Sequence, residues 1–279
     1  MVNFGYHLAR ARGRAVRRLY ARNLRGVVGR KVVPRTEIPF EVYSYSGEAA
    51  LPEQVASIRS FLRHAGRPIR FTVVSDGTYT TSSLDLLKAI DPCVALSAAS
   101  DWTPSDASGK LRTYLTTHPT GKQLALIMSL PAGAPTLYVD SDVLFFQGAA
   151  VLTALTNNTT APAHYLADCQ VSADERLFHG PAERENPVNT GVLFLSQKLD
   201  WQAGISRFLE LEEEPNFFTN QTITHLAMHA NGARPLDPQK FVLQLDDQFV
   251  YPDRYAGPAI ALRHYVNPVR HKFWTSLTR

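Results

Sequence analysis

Two cysteines in 279 residues, Cys93 and Cys169, are too few for a disulfide framework, and neither has a second pair nearby that could close a zinc cage. Both read as buried thiols. No uninterrupted apolar run approaches the roughly 20 residues that a membrane-spanning helix needs. Residues 1–30 lack the apolar stretch and small-residue cleavage site of a secretory signal, so a cytoplasmic protein is expected. Glycine is scarce where a phosphate-cradling loop would need it: SYSGEAALPEQ holds one, which argues against nucleotidyl transfer. There is no internal repeat and no low-complexity segment. With 44% apolar and 19% charged residues the chain can build one large globular domain or at most two small ones, and a disordered polymer is excluded.

Acidic residues are missing altogether from residues 1–36, which hold ten Lys and Arg. The other 243 residues carry 19 basic against 25 acidic groups, so the overall charge of +4 belongs to a tail and the body is mildly acidic. A body of that sign is a poor nucleic-acid surface, and no nucleic-acid partner is expected. In the tail, Phe4, Leu8, Ala11, Ala15, Leu19, Asn23 and Val27 recur near helical spacing among the arginines. Residues 1–33 thus read as a basic amphipathic helix of about seven turns. Two readings stand: peripheral contact with anionic lipid at the inner membrane face, or packing on its own body or a partner.

From residue 34 to 279 the pattern is that of an α/β layered domain. IPFEVYSYSG (38–47 to its turn) reads as a buried strand, LPEQVASIRSFLRHAG as a helix stopped by Gly66, and IRFTVVSDG as a second strand, which together make a parallel βαβ unit. SSLDLLKAI is a further helix, PCVALSA a short strand, and residues 109–130 a helical stretch broken at Pro119. APTLYVDSDVLFF is the strongest strand signal. Strands HYLADCQ (164–170) and NTGVLFLS (189–196), helices ISRFLELEE and TNQTITHLAMHA, and a closing segment AIALRHYVNPVRHKFW follow. The long polar stretch 171–186 is a candidate lid or substrate loop.

Asp140-Ser141-Asp142 interrupts that strongest strand. Unpaired ionised carboxylates are not left between hydrophobic flanks, because desolvating a charge costs several kcal/mol, so a cation or a basic side chain must be close. Oxygen ligands favour Mg²⁺ or Mn²⁺, which keep free positions for substrate phosphates. Chance alone gives roughly 0.7 Asp-x-Asp in a chain with fourteen Asp, so the placement after a buried strand carries the weight.

With these residues the chain resembles the GT-A nucleotide-sugar glycosyltransferases, in particular family 8, which contains glycogenin and the bacterial lipopolysaccharide galactosyl- and glucosyltransferases. The resemblance runs from about Pro39 to Trp274 as an ordered series of short motifs. It implies a single Rossmann-like domain with a mixed, mainly parallel sheet flanked by helices. It also implies a hexose moved from a UDP-sugar, with Mn²⁺ or Mg²⁺ and with retention, to a hydroxyl of a glycan, lipid or protein.

Residue by residue, the resemblance makes Asp140, Asp142 and His264 metal ligands, with Ser141 beside the donor. Asp168, Asn189 and Gln221 fall near the donor sugar as catalytic candidates, and Gly191 lies beside Asn189. Lys122 and either Lys272 or Arg270 would hold the diphosphate, and Tyr43, Ser44 and Tyr45 would build the uracil site. Two departures stand out: the interval from His264 to Lys272 is two residues longer than in the family, which brings in Arg270, and Asn220 replaces the family's acid. Each residue also has a structural alternative, such as a strand-end turn for the two Asp or a satisfied core histidine for His264. Asp246, Asp247 and Asp76-Gly77 read as structural. The rival functions are a protein that binds sugar nucleotide or a partner without turnover, and a nucleotidyltransferase on a related scaffold.

Overall fold

The structure is a computed structural model and describes residues 3–34, 36–157 and 161–277. Two helices, α1 (Phe4–Arg22) and α2 (Leu24–Gly29), precede the sheet, because the expected single helix breaks at Asn23, whose side chain turns back to donate to the Leu19 carbonyl at 2.8 Å. Strand β1 (Glu37–Ser46), helix α3 (Leu51–His64), strand β2 (Arg67–Ser75), helix α4 (Thr81–Lys88) and strand β3 (Val94–Ala98) then form two consecutive parallel crossovers. Helix α3 starts with Pro52 in its first turn and buries Val55, Ile58, Phe61 and Leu62 under the sheet. Gly66 ends it at φ 133°, where any Cβ would strike the Thr36 carbonyl at 2.6 Å.

Helices α5 (Gly109–Thr117) and α6 (Pro119–Ser129) meet at His118, since Pro119 can open a helix but not continue one. Strand β4 (Thr136–Val139) follows and pairs parallel with β1. The apolar run expected as one strand is cut after Val139: strand β5 (Val143–Phe145) leaves the central sheet, and its edge partner lies near the C-terminus. Strands β6 (Ala163–Ala167) and β7 (Val188–Leu195), helices α7 (Gln202–Glu210) and α8 (Thr219–Ala230), and strands β8 (Arg234–Pro235), β9 (Phe241–Val242) and β10 (Leu262–His264) come next, with helix α9 (Phe273–Ser276) last. The central sheet has the order β3-β2-β1-β4-β7-β6-β8, parallel from β3 to β4 and mixed beyond; β5, β10 and β9 form a second, three-stranded sheet.

Strands β2 and β4 flank β1 on opposite sides, so the carboxyl ends of β1 and β4 face a switch in strand order, where open α/β sheets bind their ligands. Phe61 packs edge-on to Phe71 and Phe145, with ring centroids 5.7 and 4.9 Å apart, and so ties α3, β2 and β5 together.

Helix α1 lies on the body through its small residues. Ala9 and Gly13 are buried, and a Cβ at Gly13 would come within 2.3 Å of the His271 carbonyl oxygen. Arg17 forms an ion pair with Glu53, Arg12 donates to the Tyr251 hydroxyl at 2.6 Å, and the Tyr20 ring meets Trp274 at 5.0 Å. Of the two readings of the tail, packing on the body therefore holds for this face. The expectation for the cysteines needs correction: Cys169 is exposed, because it follows the end of β6, and Cys93 is half-buried.

Near the C-terminus a fully buried Arg263 bonds Asp247 at 2.8 and 3.0 Å and also bonds Asp253, while Lys272 holds Asp247 at 2.9 Å. Burial opposes ionisation of Asp247, but Arg263 and Lys272 outweigh it and hold the carboxyl below its usual range. Stabilisation from this carboxylate is therefore full above the ordinary value near 4 and is lost as pH falls through the lowered folded value. Arg263→Met should cost about 3–5 kcal/mol, since it removes the buried cation that faces Asp253 and leaves Asp247 with Lys272 alone. Urea unfolding at pH 7 checks this, and a cost below about 1 kcal/mol would contradict it.

Candidate active site

The cut between β4 and β5 is what creates the site. Asp140 N still donates to the Gly191 carbonyl of β7 at 2.9 Å, and Tyr265 N takes the Asp142 carbonyl at 3.0 Å, so the two carboxylates sit on a turn pinned at both ends. Asp140 Oδ1 accepts from the Tyr138 hydroxyl at 2.8 Å and from Gln123 Nε2 at 2.9 Å. Asp142 Oδ1 faces His264 Nε2 at 3.0 Å, and its Oδ2 accepts from Arg270. His264 Nε2 lies 3.6 Å from Asp140 Oδ2.

The imidazole is aimed by its other nitrogen. Asn189 Oδ1 accepts from Gly191 N at 2.9 Å, which fixes which end of that amide is the oxygen, and His264 Nδ1 donates to the same oxygen at 2.9 Å. Nε2 is thereby left pointing at both carboxylates, the orientation a ligating histidine needs. Gly191 makes room for it: a Cβ there would lie 2.1 to 2.8 Å from three atoms of the ring.

Electrostatics separate the two acids. Burial, with Asp142 alongside, raises the Asp140 carboxyl above its ordinary value. Burial also opposes ionisation of Asp142, but the charges of His264 and Arg270 and their hydrogen bonds prevail and bring it down to about 2. The same carboxylates overcome desolvation of His264 and raise its pKa. Asp140, Asp142 and His264 can each place one ligand atom within 4.8 Å of the others. Two hard carboxylate oxygens and one imidazole nitrogen fit a divalent cation such as Mn²⁺, with positions left open for other oxygens.

Around this group lies a cavity of about 490 Å³. Asp168, just past β6, has its carboxyl raised by burial and accepts from Asn189 and Gln221, both at 3.3 Å. Gln221, in the first turn of α8, also donates to the Ser172 carbonyl at 2.6 Å, so α8 and the 171–186 stretch are joined here. That stretch is anchored rather than loose: Asp174 is buried, pairs with Arg176 at 2.8 Å and accepts from Thr219 at 2.6 Å.

Of the residues expected at the site, Tyr45, Asp140, Ser141, Asp142, Asp168, Asn189, Gln221, His264 and Arg270 line this one cavity. Gly191 stands behind the His264 ring. Four others do not reach it. Lys272 is fully buried against Asp247 and the Pro252 carbonyl, so of the two basic candidates for a diphosphate only Arg270 faces the cavity. Lys122 is turned off it, because one step along α6 is about 100°, and Thr120 and Gln123 hold the inward face instead. Ser44 is buried against Gln54 at 2.8 Å, and Tyr43 stacks edge-on to Trp102 at 5.2 Å with its hydroxyl on Glu41.

Sequence reasoning missed Gln123, which links Asp140 to Asn220 by accepting from the Asn220 amide at 2.9 Å. The three-residue interval from Thr120 to Gln123, one helix face, was the available signal.

No protein-family model matches this chain, and no curated protein is significantly similar to it in sequence. Solved structures do match. Galactosyltransferase LgtC in complex with donor and acceptor sugar analogs superposes at a TM-score of 0.55 and 13% identity, over 86% of this chain and 95% of LgtC. The chain has the GT-A fold. Mouse xyloside xylosyltransferase 1 in its apo form matches at 0.53 and 13%, over 84% of this chain and 99% of that enzyme. Glycosyltransferase GlyE of Streptococcus pneumoniae TIGR4 matches at 0.52 and 16%, over 87% and 61%. At these identities the likeness is one of GT-A architecture.

Gly191→Ala should destabilise by about 1–3 kcal/mol, because the methyl must displace a packed imidazole, whereas Gly180→Ala, which meets open space, should stay within about 0.5 kcal/mol. Parallel urea unfolding of the two variants checks the difference; equal stabilities would contradict the packing described.

Proposed function

We propose that this protein is a metal-dependent glycosyltransferase that moves a hexose from a nucleotide sugar, UDP-linked, to a hydroxyl of a glycan or lipid acceptor with retention of anomeric configuration. The observation that carries the reading is the convergence of Asp140, Asp142 and His264, with Arg270 at their edge, on one cavity at the switch point of a GT-A sheet.

A divalent cation held by these three side chains would supply positive charge against the diphosphate as the sugar–phosphate bond breaks. Arg270, half-exposed at the cavity wall, is the side chain able to share in binding those phosphates. Tyr45 offers an aromatic face for the base. Next to His264, Asp168, Asn189 and Gln221 form a hydrogen-bonded set of one carboxylate and two amides that lines the same cavity. A carboxylate and amide oxygens suit a sugar carbon that becomes oxocarbenium-like, because they lay negative charge and dipoles where positive charge develops. Two features support the acceptor assignment: the cavity holds polar groups beyond those needed by the nucleotide, among them Gln170 and Ser172, and LgtC shares the fold with donor and acceptor analogs bound.

Nucleotidyl transfer fits less well. Gly47, the glycine after β1, is packed against Asp76, whose carboxylate would lie 2.1 Å from a Cβ there, so the loop has no room or charge for a phosphate cradle. Binding without turnover is favoured by one observation, that Asn220 stands where an acid would act and its amide is engaged by Gln123.

Calorimetry with UDP should show binding that requires Mn²⁺ and vanishes in Asp142→Ala. Absence of UDP binding in either condition would remove the donor assignment. Arg270→Ala should weaken UDP by about 10–100-fold while Lys122→Ala stays within about twofold, the loss of a charge-assisted phosphate contact being worth roughly 1.5–3 kcal/mol. Turnover of UDP-sugars, with product anomers read by NMR, tests transfer and retention; tight UDP binding with no hydrolysis or transfer would favour the non-catalytic reading.

A further inference from the structure

Helix α1 meets the body with its small residues, so its apolar stripe is turned outward. Phe4 is 81% exposed, Leu8 60% and Leu19 59%, and Ala11 and Ala15 lie exposed between them at helical spacing. Arg14, Arg18 and Arg22 are exposed along the same side. A helix that keeps apolar residues in water and surrounds them with arginines has the composition of an interfacial helix.

Beside Leu19 a cleft of about 490 Å³ opens between α1, α2 and α3. Its floor is apolar, formed by Val16, Leu144, Phe146 and Leu277, and its rim carries Arg30, Lys31, Arg59 and Arg63. None of the described residues that line it is acidic, and no ion pair is formed by these four cations among the described residues. Nη1 of Arg59 is buried without a hydrogen-bond acceptor. Like charges gathered beside apolar surface, with an orphaned donor among them, need an anion to balance them. A nucleic acid or an acidic peptide would meet the charge and leave the apolar floor and the stripe in water.

We propose that this cleft takes the phosphate headgroup and upper acyl chain of an anionic phospholipid, and that together with the outward stripe of α1 it seats the protein on an anionic bilayer. The inference is independent of sugar transfer, since the cleft shares no lining residue with the donor cavity.

The test uses the full chain and two kinds of vesicle, pure phosphatidylcholine and phosphatidylcholine containing one-third phosphatidylglycerol. Co-sedimentation should favour the anionic vesicles by at least tenfold. Arg30→Gln with Arg63→Gln, both exposed, should lower that binding roughly 30-fold, as expected for two basic residues near an anionic surface. Leu8→Glu with Leu19→Glu should abolish it, while UDP binding and the melting temperature stay as in the parent. Glycerol phosphate at millimolar concentration should not displace the protein from vesicles. Displacement by it would make the cleft a soluble-phosphate site and overturn the lipid assignment. Equal binding to both vesicle types, unchanged binding by the arginine variant, or a dimer that the Leu8/Leu19 variant dissolves without any vesicle binding would overturn it as well.

Discussion

Two carboxylates placed where a central strand hands over to an edge sheet must be neutralised, because their desolvation costs more than the local packing returns. That single requirement organises the surroundings of Asp140 and Asp142. Tyr138 and Gln123 spend their hydrogen bonds on Asp140, and His264 and Arg270 bring charge to Asp142. Asn189 aims the imidazole, and Gly191 clears the space for it. Because these groups arrive from β4, α6, β7, β10 and the segment before α9, the site exists only when both sheets are assembled. The second sheet is itself held by a buried ionic cluster around Arg263, the residue before His264 on β10, so the stability of that corner and the geometry of the cavity are linked.

Much of the fold was legible because burial and periodicity write it locally. Helix α8 has the predicted bounds, the break at Pro119 is where proline chemistry puts it, and β1, β2 and β7 lie within two or three residues of their patterns. The run from Thr136 to Phe146 showed its strand character and concealed its division between two sheets, since an apolar run says that a segment is buried and not against what.

At the candidate site, the family resemblance pointed to residues of which most share one cavity, and missed or left open those whose placement turned on direction. Lys122 and Gln123 are adjacent in sequence and a quarter turn apart in space. Arg270 and Lys272 bracket a short 3₁₀ turn that sends one to the cavity and the other into the core. The amphipathic pattern of the first helix was equally plain, but it did not say which face meets the body. Glycine and alanine at positions 5, 9 and 13 let the backbone approach the C-terminal segment more closely than leucine could, and that close approach decides which face is left in water.

Arg270 holds a carboxylate that a metal ion would also claim. The guanidinium brings positive charge to a buried carboxylate on that turn. Under the proposed function, a cation on Asp142 would compete with Arg270 for that carboxylate, and phosphates that drew Arg270 away would free the carboxylate for the cation, so each ligand would favour the other's binding by the same factor. Loss of the diphosphate would return Arg270 to Asp142 and weaken the hold on the ion. The exchange of one charge for another would then act as an internal clutch between metal and nucleotide, built from a side chain two residues away from the lysine that the core keeps for itself.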